Sequence, residues 1–436
     1  MKTPTNILYL HSHDTGRVIE PYGYPAPTPN FMRLATDSLM FRSMFCANPT
    51  CSPSRAALLT GQYAHSCGQL GLAHRGFEMP SFDHHIARHL GDAGYHTVLS
   101  GVQHIAHQND PPGRIGYNEY LGPPARADVE AARWLSTRPS SPFFLSCGFF
   151  ETHRPFPEFS ESEAMIRAKT PGAPRPCGYP DQEPLRLDFA MYLESLKTLD
   201  ERVGVVLDAL EESGLADSTI LVCTTDHGIP FPDMKCTLKD AGTGVLFFLR
   251  VPGREPKCID AMASHVDVFP TICDLVGVEK PDWLEGKSLV PLIDGTEPSV
   301  RDEVFAEVNF HAASEPMRMV RTQRYKLIRR FHDRHVRTLS NVDRSRSKDF
   351  FVEAGWHTIP LASEELYDLY VDPEERCNRI ADSSLSGITN DLRGRLQRWM
   401  EKTNDPLLDG PLVPPKGVLL NSPEGASPSE PPTLVT

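Results

Sequence analysis

Asn6-Ile7-Leu8-Tyr9-Leu10-His11-Ser12-His13-Asp14 joins a short apolar run to a polar cluster. The uncharged run 6–10 reads as a buried strand, and His11, His13 and Asp14 put chemistry at its C-terminal end. The arrangement returns twice. Residues 143–149 form an uncharged, largely apolar run that leads to Glu151, Thr152 and His153, and 219–223 lead to Asp226 and His227. Further strands read at 97–100 and 245–249, with helices between them near 30–38, 52–64, 84–93, 129–135 and 187–213. Strands alternating with helices predict an α/β fold with a mainly parallel sheet. Polar residues at the strands' C-terminal ends predict a site along that edge.

After residue 312 the pattern changes. Residues 317–330 alternate like a hairpin, a charged irregular stretch follows to 348, and 389–402 is amphipathic. The expected division is a catalytic domain over 1–311, a smaller α+β domain with an antiparallel sheet over 312–410, and a loosely ordered Pro-rich tail over 411–436.

Composition narrows the function. Forty-four Lys plus Arg against 57 Asp plus Glu give a formal charge of −13, which argues against nucleic acid as the main partner. No apolar run reaches the ~18 residues of a membrane span, and no leader pattern is visible at the N-terminus. The ten cysteines form no CxxC pair, and Asn48 is followed by Pro49, so no usable glycosylation sequon is present. These features lead us to expect a cytoplasmic protein without a membrane partner; the oligomeric state stays open.

Cys51-Ser52-Pro53-Ser54-Arg55, followed by Ala56-Ala57-Leu58-Leu59-Thr60-Gly61, is the most specific feature. Ser52 is placed to cap the helix and Pro53 to open it. A nucleophile at a helix N-terminus sits among free N–H groups that favour anions, and Arg55 adds a fixed charge. The segment resembles the signature of the formylglycine-dependent (type I) sulfatases of the alkaline phosphatase superfamily. Asp226-His227-Gly228-Ile229-Pro230-Phe231-Pro232 and Pro316-Met317-Arg318 with Tyr325-Lys326-Leu327 are most similar to the heparan N-sulfatases, or sulfamidases.

The resemblance implies an alkaline-phosphatase-like sandwich, with a large mixed sheet between helices. It implies that Cys51 becomes formylglycine through a maturation enzyme. It also implies one divalent metal held by His13, Asp14, Asp226 and His227, with Arg55, His104, His153 and Lys235 completing the catalytic set and a small anionic sulfated saccharide as substrate. Two departures stand out. His13 occupies the place of the first of two adjacent aspartates, and Val102 that of a lysine. The family's usual ion is Ca²⁺, whereas imidazole suits Mn²⁺ or another transition metal. Arg17, after the metal motif, either supplies the missing charge or lies on the surface. A phosphonate monoester or phosphodiester hydrolase of the same superfamily, and a non-catalytic anion-binding protein in which Cys51 stays a thiol, remain alternatives.

Overall fold

The computed structural model describes residues 6–107, 109–139, 142–157, 159 and 162–436. Its eight-stranded sheet has the order Glu119–Gly122, His96–Gly101, Phe143–Gly148, Asn6–Ser12, Thr219–Thr225, Phe247–Arg250, Leu39–Phe41 and Lys257–Ile259. Only Phe247–Arg250 runs against its neighbours; the other pairings are parallel.

Helices cover both faces, which is why the central strands are apolar throughout. Ile7, Tyr9, Ile220 and Val222 point one way, into a core shared with Leu58, Leu59 and Phe269. Leu8, Leu10, Leu221 and Cys223 point the other, against Phe189, Tyr192, Leu196 and Leu199 of the helix Glu183–Glu212. The strand predicted to end at 223 continues to Thr225, because Thr224 and Thr225 still pair with His11 and Ser12. Hydroxyl side chains at those positions hide the continuation from a hydrophobicity reading.

The second sheet is antiparallel in the order Glu303–Phe310, Ser314–Thr322, Tyr325–Arg330 and Glu364–Asp368. Leu392, Leu396, Trp399 and Met400 of the helix Ser386–Lys402 pack on Val320, Leu327 and Leu366 of that sheet. Its first strand begins ahead of the change of pattern at residue 312. Seven of its eight residues are buried, so it shows no alternation to read.

The segment beyond 411 is not loose. Leu419–Leu420 pairs with Thr433–Leu434, and fully buried Val418 packs with Phe77 and Phe310. Proline removes backbone donors without preventing such anchoring. Among the described residues no helix is long and apolar enough to cross a membrane, and all ten cysteines are free thiols.

One buried charge cluster joins the second sheet to the chain after the last helix. Arg318, fully buried, donates from Nε to Asp405 Oδ2 at 2.5 Å and from Nη2 to Asp405 Oδ1 at 2.9 Å. It also lies 3.4 Å from Glu307. Burial pushes the Glu307 carboxyl up, but His65 and Arg318 outweigh it and hold its pKa at about 2. The contribution of Glu307 to stability is therefore complete above the ordinary carboxyl value of 4.5 and is lost as pH falls through about 2. Arg318→Met should cost about 3–5 kcal/mol in urea unfolding, because two carboxylates lose their counter-charge inside the protein. A cost near zero would show the cluster to be dispensable.

Candidate functional site

The signature forms the helix Cys51–Thr60, all ten residues of which are buried. Ala and Leu favour the helix, and Gly61 ends it in the left-handed region at φ 68°. The helix starts one residue earlier than the sequence suggests, with Thr50 in extended geometry before it. Ser52 is therefore no cap; its hydroxyl accepts from Ala73 N–H at 3.0 Å instead. Cys51 thus becomes the first helical residue, among the unpaired N–H groups of the first turn. Burial pushes its thiol pKa far up, and Asp14 and Asp226 add to this while Lys235 and Arg55 oppose it.

Four adjacent strands deliver the remaining residues at their C-terminal ends. Asn6–Ser12 runs into His13 and Asp14, Thr219–Thr225 into Asp226 and His227, His96–Gly101 into His104, and Phe143–Gly148 into His153. One donor atom from each of His13, Asp14, Cys51 and Asp226 lies within 4.8 Å of the others. His227 Nε2 adjoins them, 3.3 Å from Asp14 Oδ1 and 3.4 Å from Cys51 Sγ. With Nδ1–H donating to Gly228 O at 3.0 Å, that Nε2 keeps a free lone pair.

The donor set fits a cation. His13 is completely buried with Nδ1 3.0 Å from Asp226 Oδ2, its Nε2 has no hydrogen-bond partner, and Asp14 Oδ1 has none either. Unpartnered polar atoms at such depth are costly unless a ligand satisfies them. Asp226 is the most connected member. Its Oδ1 accepts from the Asp14 and His227 N–H groups at 2.8 and 2.9 Å, and its Oδ2 accepts from Arg55 at 3.2 Å. Burial alone would raise its pKa, but His227, Arg55 and His13 hold it well below the carboxylate range.

Lys235 reaches the same place from the loop after the strand. Its Nζ lies 2.8 Å from Asp14 Oδ2 and 3.2 Å from Asp343 Oδ2, and it is 6% exposed. Burial lowers its pKa, yet the two carboxylates outweigh burial and hold it well above the usual lysine value. Arg55 turns toward the strand ends. Its guanidinium donates to Ser12 O at 2.9 Å and to Asp226, and meets His11 Nδ1. Protein groups thus occupy both terminal nitrogens.

His104 and His153 flank His13, with ring centroids 5.2 and 5.5 Å from its own. His104 Nε2 lies 3.1 Å from His74 Nδ1, and its Nδ1 has no partner. Burial first, then the charges of His74 and Arg55, hold His104 neutral, with its pKa well below the ordinary value. His153 Nδ1–H donates to Arg154 O at 2.5 Å.

Arg17 does not replace the missing lysine. It donates to Met44 O at 2.6 Å and stacks on Phe45 opposite Arg321. It lines a cleft of about 780 Å³ with Tyr24, Tyr179 and Asp240, whose lining includes none of the nine predicted site residues. Conversely, His74 meets His104 and Asp343 meets Lys235, with His311 within reach of the Lys235 charge, although no motif marks these three. Asp343 lies in the charged stretch before 348, where a carboxylate turned inward looks like any solvated one.

Comparison with known proteins agrees with this geometry. A family model described as Sulfatase matches residues 5–278, and one described as N-sulphoglucosamine sulphohydrolase, C-terminal, matches 235–348. Human N-sulphoglucosamine sulphohydrolase is 29% identical over 94% of this chain and 92% of its own length. A solved 2-O GAG sulfatase shares the fold at a TM-score of 0.73, with 20% identity over 94% of both chains. The phosphonate monoester hydrolase of Agrobacterium radiobacter does so at 0.68, with 19% identity over 92% of this chain and 96% of its own. The matched region covers well over half of the sequence and contains the helix of Cys51 and both strand-end pairs, and the chain therefore belongs to the sulfatase family.

Proposed function

We propose that this protein hydrolyses a sulfate ester or sulfamate on a small saccharide, using a formylglycine made from Cys51 and a divalent cation held by His13, Asp14, Asp226 and His227. The observation that carries the reading is the group of unpartnered, fully buried donors on His13 and Asp14 beside a residue at a helix N-terminus. A bound cation lowers the pKa of an oxygen it holds and so makes a nucleophile available near neutral pH. Hydrated formylglycine would attack sulfur through one hydroxyl, and loss of the proton of the other would expel sulfate and restore the aldehyde.

The chain's own residues have separate tasks. Two of the three Lys235 N–H donors face Asp14 and Asp343, leaving one for a sulfuryl oxygen. Arg55 acts through Asp226, which it orients and holds ionised. His104 is neutral with Nδ1 free, as an acceptor of the hydroxyl proton must be. His153, with its Nδ1–H held by Arg154 O, would give a proton from Nε2 to the departing alcohol or amine only as the imidazolium, a form that burial disfavours and the Asp14 and Asp343 carboxylates favour.

Human N-sulphoglucosamine sulphohydrolase supports an amino-sugar sulfamate as the first substrate to try. A cytoplasmic location, tested by fractionation, would restrict substrates to small saccharides. The fold is shared with a phosphonate monoester hydrolase, so only turnover of sulfate against phosphonate esters in one preparation separates the two reactions. Imidazole at 13 and 227 favours Mn²⁺ or another transition ion over Ca²⁺.

Two outcomes test the proposal. After coexpression with a formylglycine-generating enzyme, the peptide containing Cys51 should lose about 18 Da, and activity should track the converted fraction. Cys51→Ser should lower turnover by about a thousandfold or more, since a serine sulfate has no second hydroxyl to expel it. Hydrolysis by the unmodified thiol would refute the scheme. Separately, chelation should abolish activity, and Mn²⁺ should restore more of it than Ca²⁺. Restoration by Ca²⁺ alone would overturn the metal assignment.

A further inference from the structure

Three loops at the edge of the site come from distant parts of the chain, and one segment holds them all. The turn Ala73–Arg75 carries His74, the bend after Glu303–Phe310 carries His311, and the turn Leu339–Asn341 leads to Asp343. Residues 417–435 touch each loop. Arg75 donates to Asn421 Oδ1 at 2.8 Å and to Pro428 O at 3.2 Å. The Asn421 N–H donates to Ala312 O at 2.9 Å, next to His311. The Ser340 hydroxyl lies 2.6 Å from Ser422 O and 3.0 Å from Gly425 O. At Gly76, φ is +89° and a Cβ would meet Gly417 O at 3.0 Å, so the approach of the segment depends on glycine there.

The side chains delivered by these loops are the ones the sequence motifs leave out. His74 meets His104, and Asp343 meets Lys235. Asp343 Oδ2 faces one Lys235 N–H at 3.2 Å and keeps its other lone pairs, while His311, 5% exposed and near enough to feel the Lys235 charge, has an Nδ1 without a hydrogen-bond partner. Burial first, then the Lys235 charge, keeps His311 neutral. A carboxylate and a neutral imidazole with free valences complement the hydroxyl and amine groups of a sugar rather than the sulfuryl group itself.

We infer that residues 417–435 form a brace that sets the sugar-facing wall of the site, with His311 and Asp343 as the subsite for hydroxyl or amine groups of the substrate. Asn421 and Ser340 are positioning residues: they touch the loops and not the reacting atoms. The inference rests on the sulfatase reading and extends it to the groups that select the substrate.

The test uses full-length protein with confirmed formylglycine, and two probes: 4-nitrophenyl sulfate, which has no sugar, and glucosamine 2-N,6-O-disulfate. Turnover of either probe by the unaltered protein tests the sulfatase reading. The ratio of variant to parent tests the brace. Asn421→Ala and Ser340→Ala should each raise KM for the sugar about tenfold, while kcat for the aryl ester stays within about twofold. Circular dichroism checks the fold, and Ser340→Ala removes one hydroxyl only. Parallel loss on both probes would reduce the segment to a general stabiliser, and unchanged KM for the sugar would remove the subsite; either result overturns the inference.

Discussion

The carboxylate of Asp226 is the junction on which the site depends. It ends one central strand, accepts the N–H of Asp14 from the neighbouring strand and takes the guanidinium of Arg55 from the helix of Cys51. Its own carbonyl accepts from Ser54 at 2.5 Å, one turn into that helix. Three elements far apart in sequence are thus fixed around one buried anion. Such a charge is tolerable only when it is paired and hydrogen-bonded. The pairing therefore determines where the helix can sit, and with it where residue 51 meets Asp14 and His227.

The charge balance follows from that junction. Val102 stands where a lysine is expected, and Lys235 shares its charge with Asp14 and Asp343. His11, His13, His104 and His311 are all held neutral, chiefly by burial. Neutral imidazoles keep donors and acceptors close together without the repulsion that four more cations would bring. A histidine-rich site whose lysine is already tied to two carboxylates is consistent with His rather than Asp at 13: a further carboxylate would need a counter-charge that Val102 does not supply.

What the sequence revealed was whatever local pattern controls. Buried parallel strands announce themselves as apolar runs, and strand-end pairs such as Asp226-His227 follow immediately, so the sheet and the polar residues gathered at its C-terminal edge could be read. The helix of Cys51 was legible apart from its first residue, because Ser52 looks like a cap until Ala73 is seen to claim its hydroxyl. Arg17 was ambiguous because proximity in sequence to a motif does not fix direction; the chain turns its side chain onto Phe45. His74, His311 and Asp343 were invisible since their roles depend on contacts across 30 to 346 residues, as at His74 with His104 and at Arg75 with Asn421. The segment after 411 misled for a related reason: its prolines report on the backbone, whereas its order comes from Val418 and from partners elsewhere.

Backbone conformation carries the same logic to its end. Asp14 and His104 both hold positive φ, at 50° and 57°, and Cys236, next to Lys235, holds 64°. Non-glycine residues accept such geometry only when surrounding structure overrides a local preference. Here the strands before Asp14 and His104 are locked by parallel pairing on both sides, and Cys236 N–H donates to Pro49 O at 3.0 Å, just before the helix of Cys51. The strain therefore sits where rigid elements end and functional side chains begin. It turns each side chain toward the common centre, which ordinary continuation of a strand would carry past it. A site so constrained has little freedom left to lose when a substrate binds, and that preorganisation is what a sheet of this size can supply to a few residues at its edge.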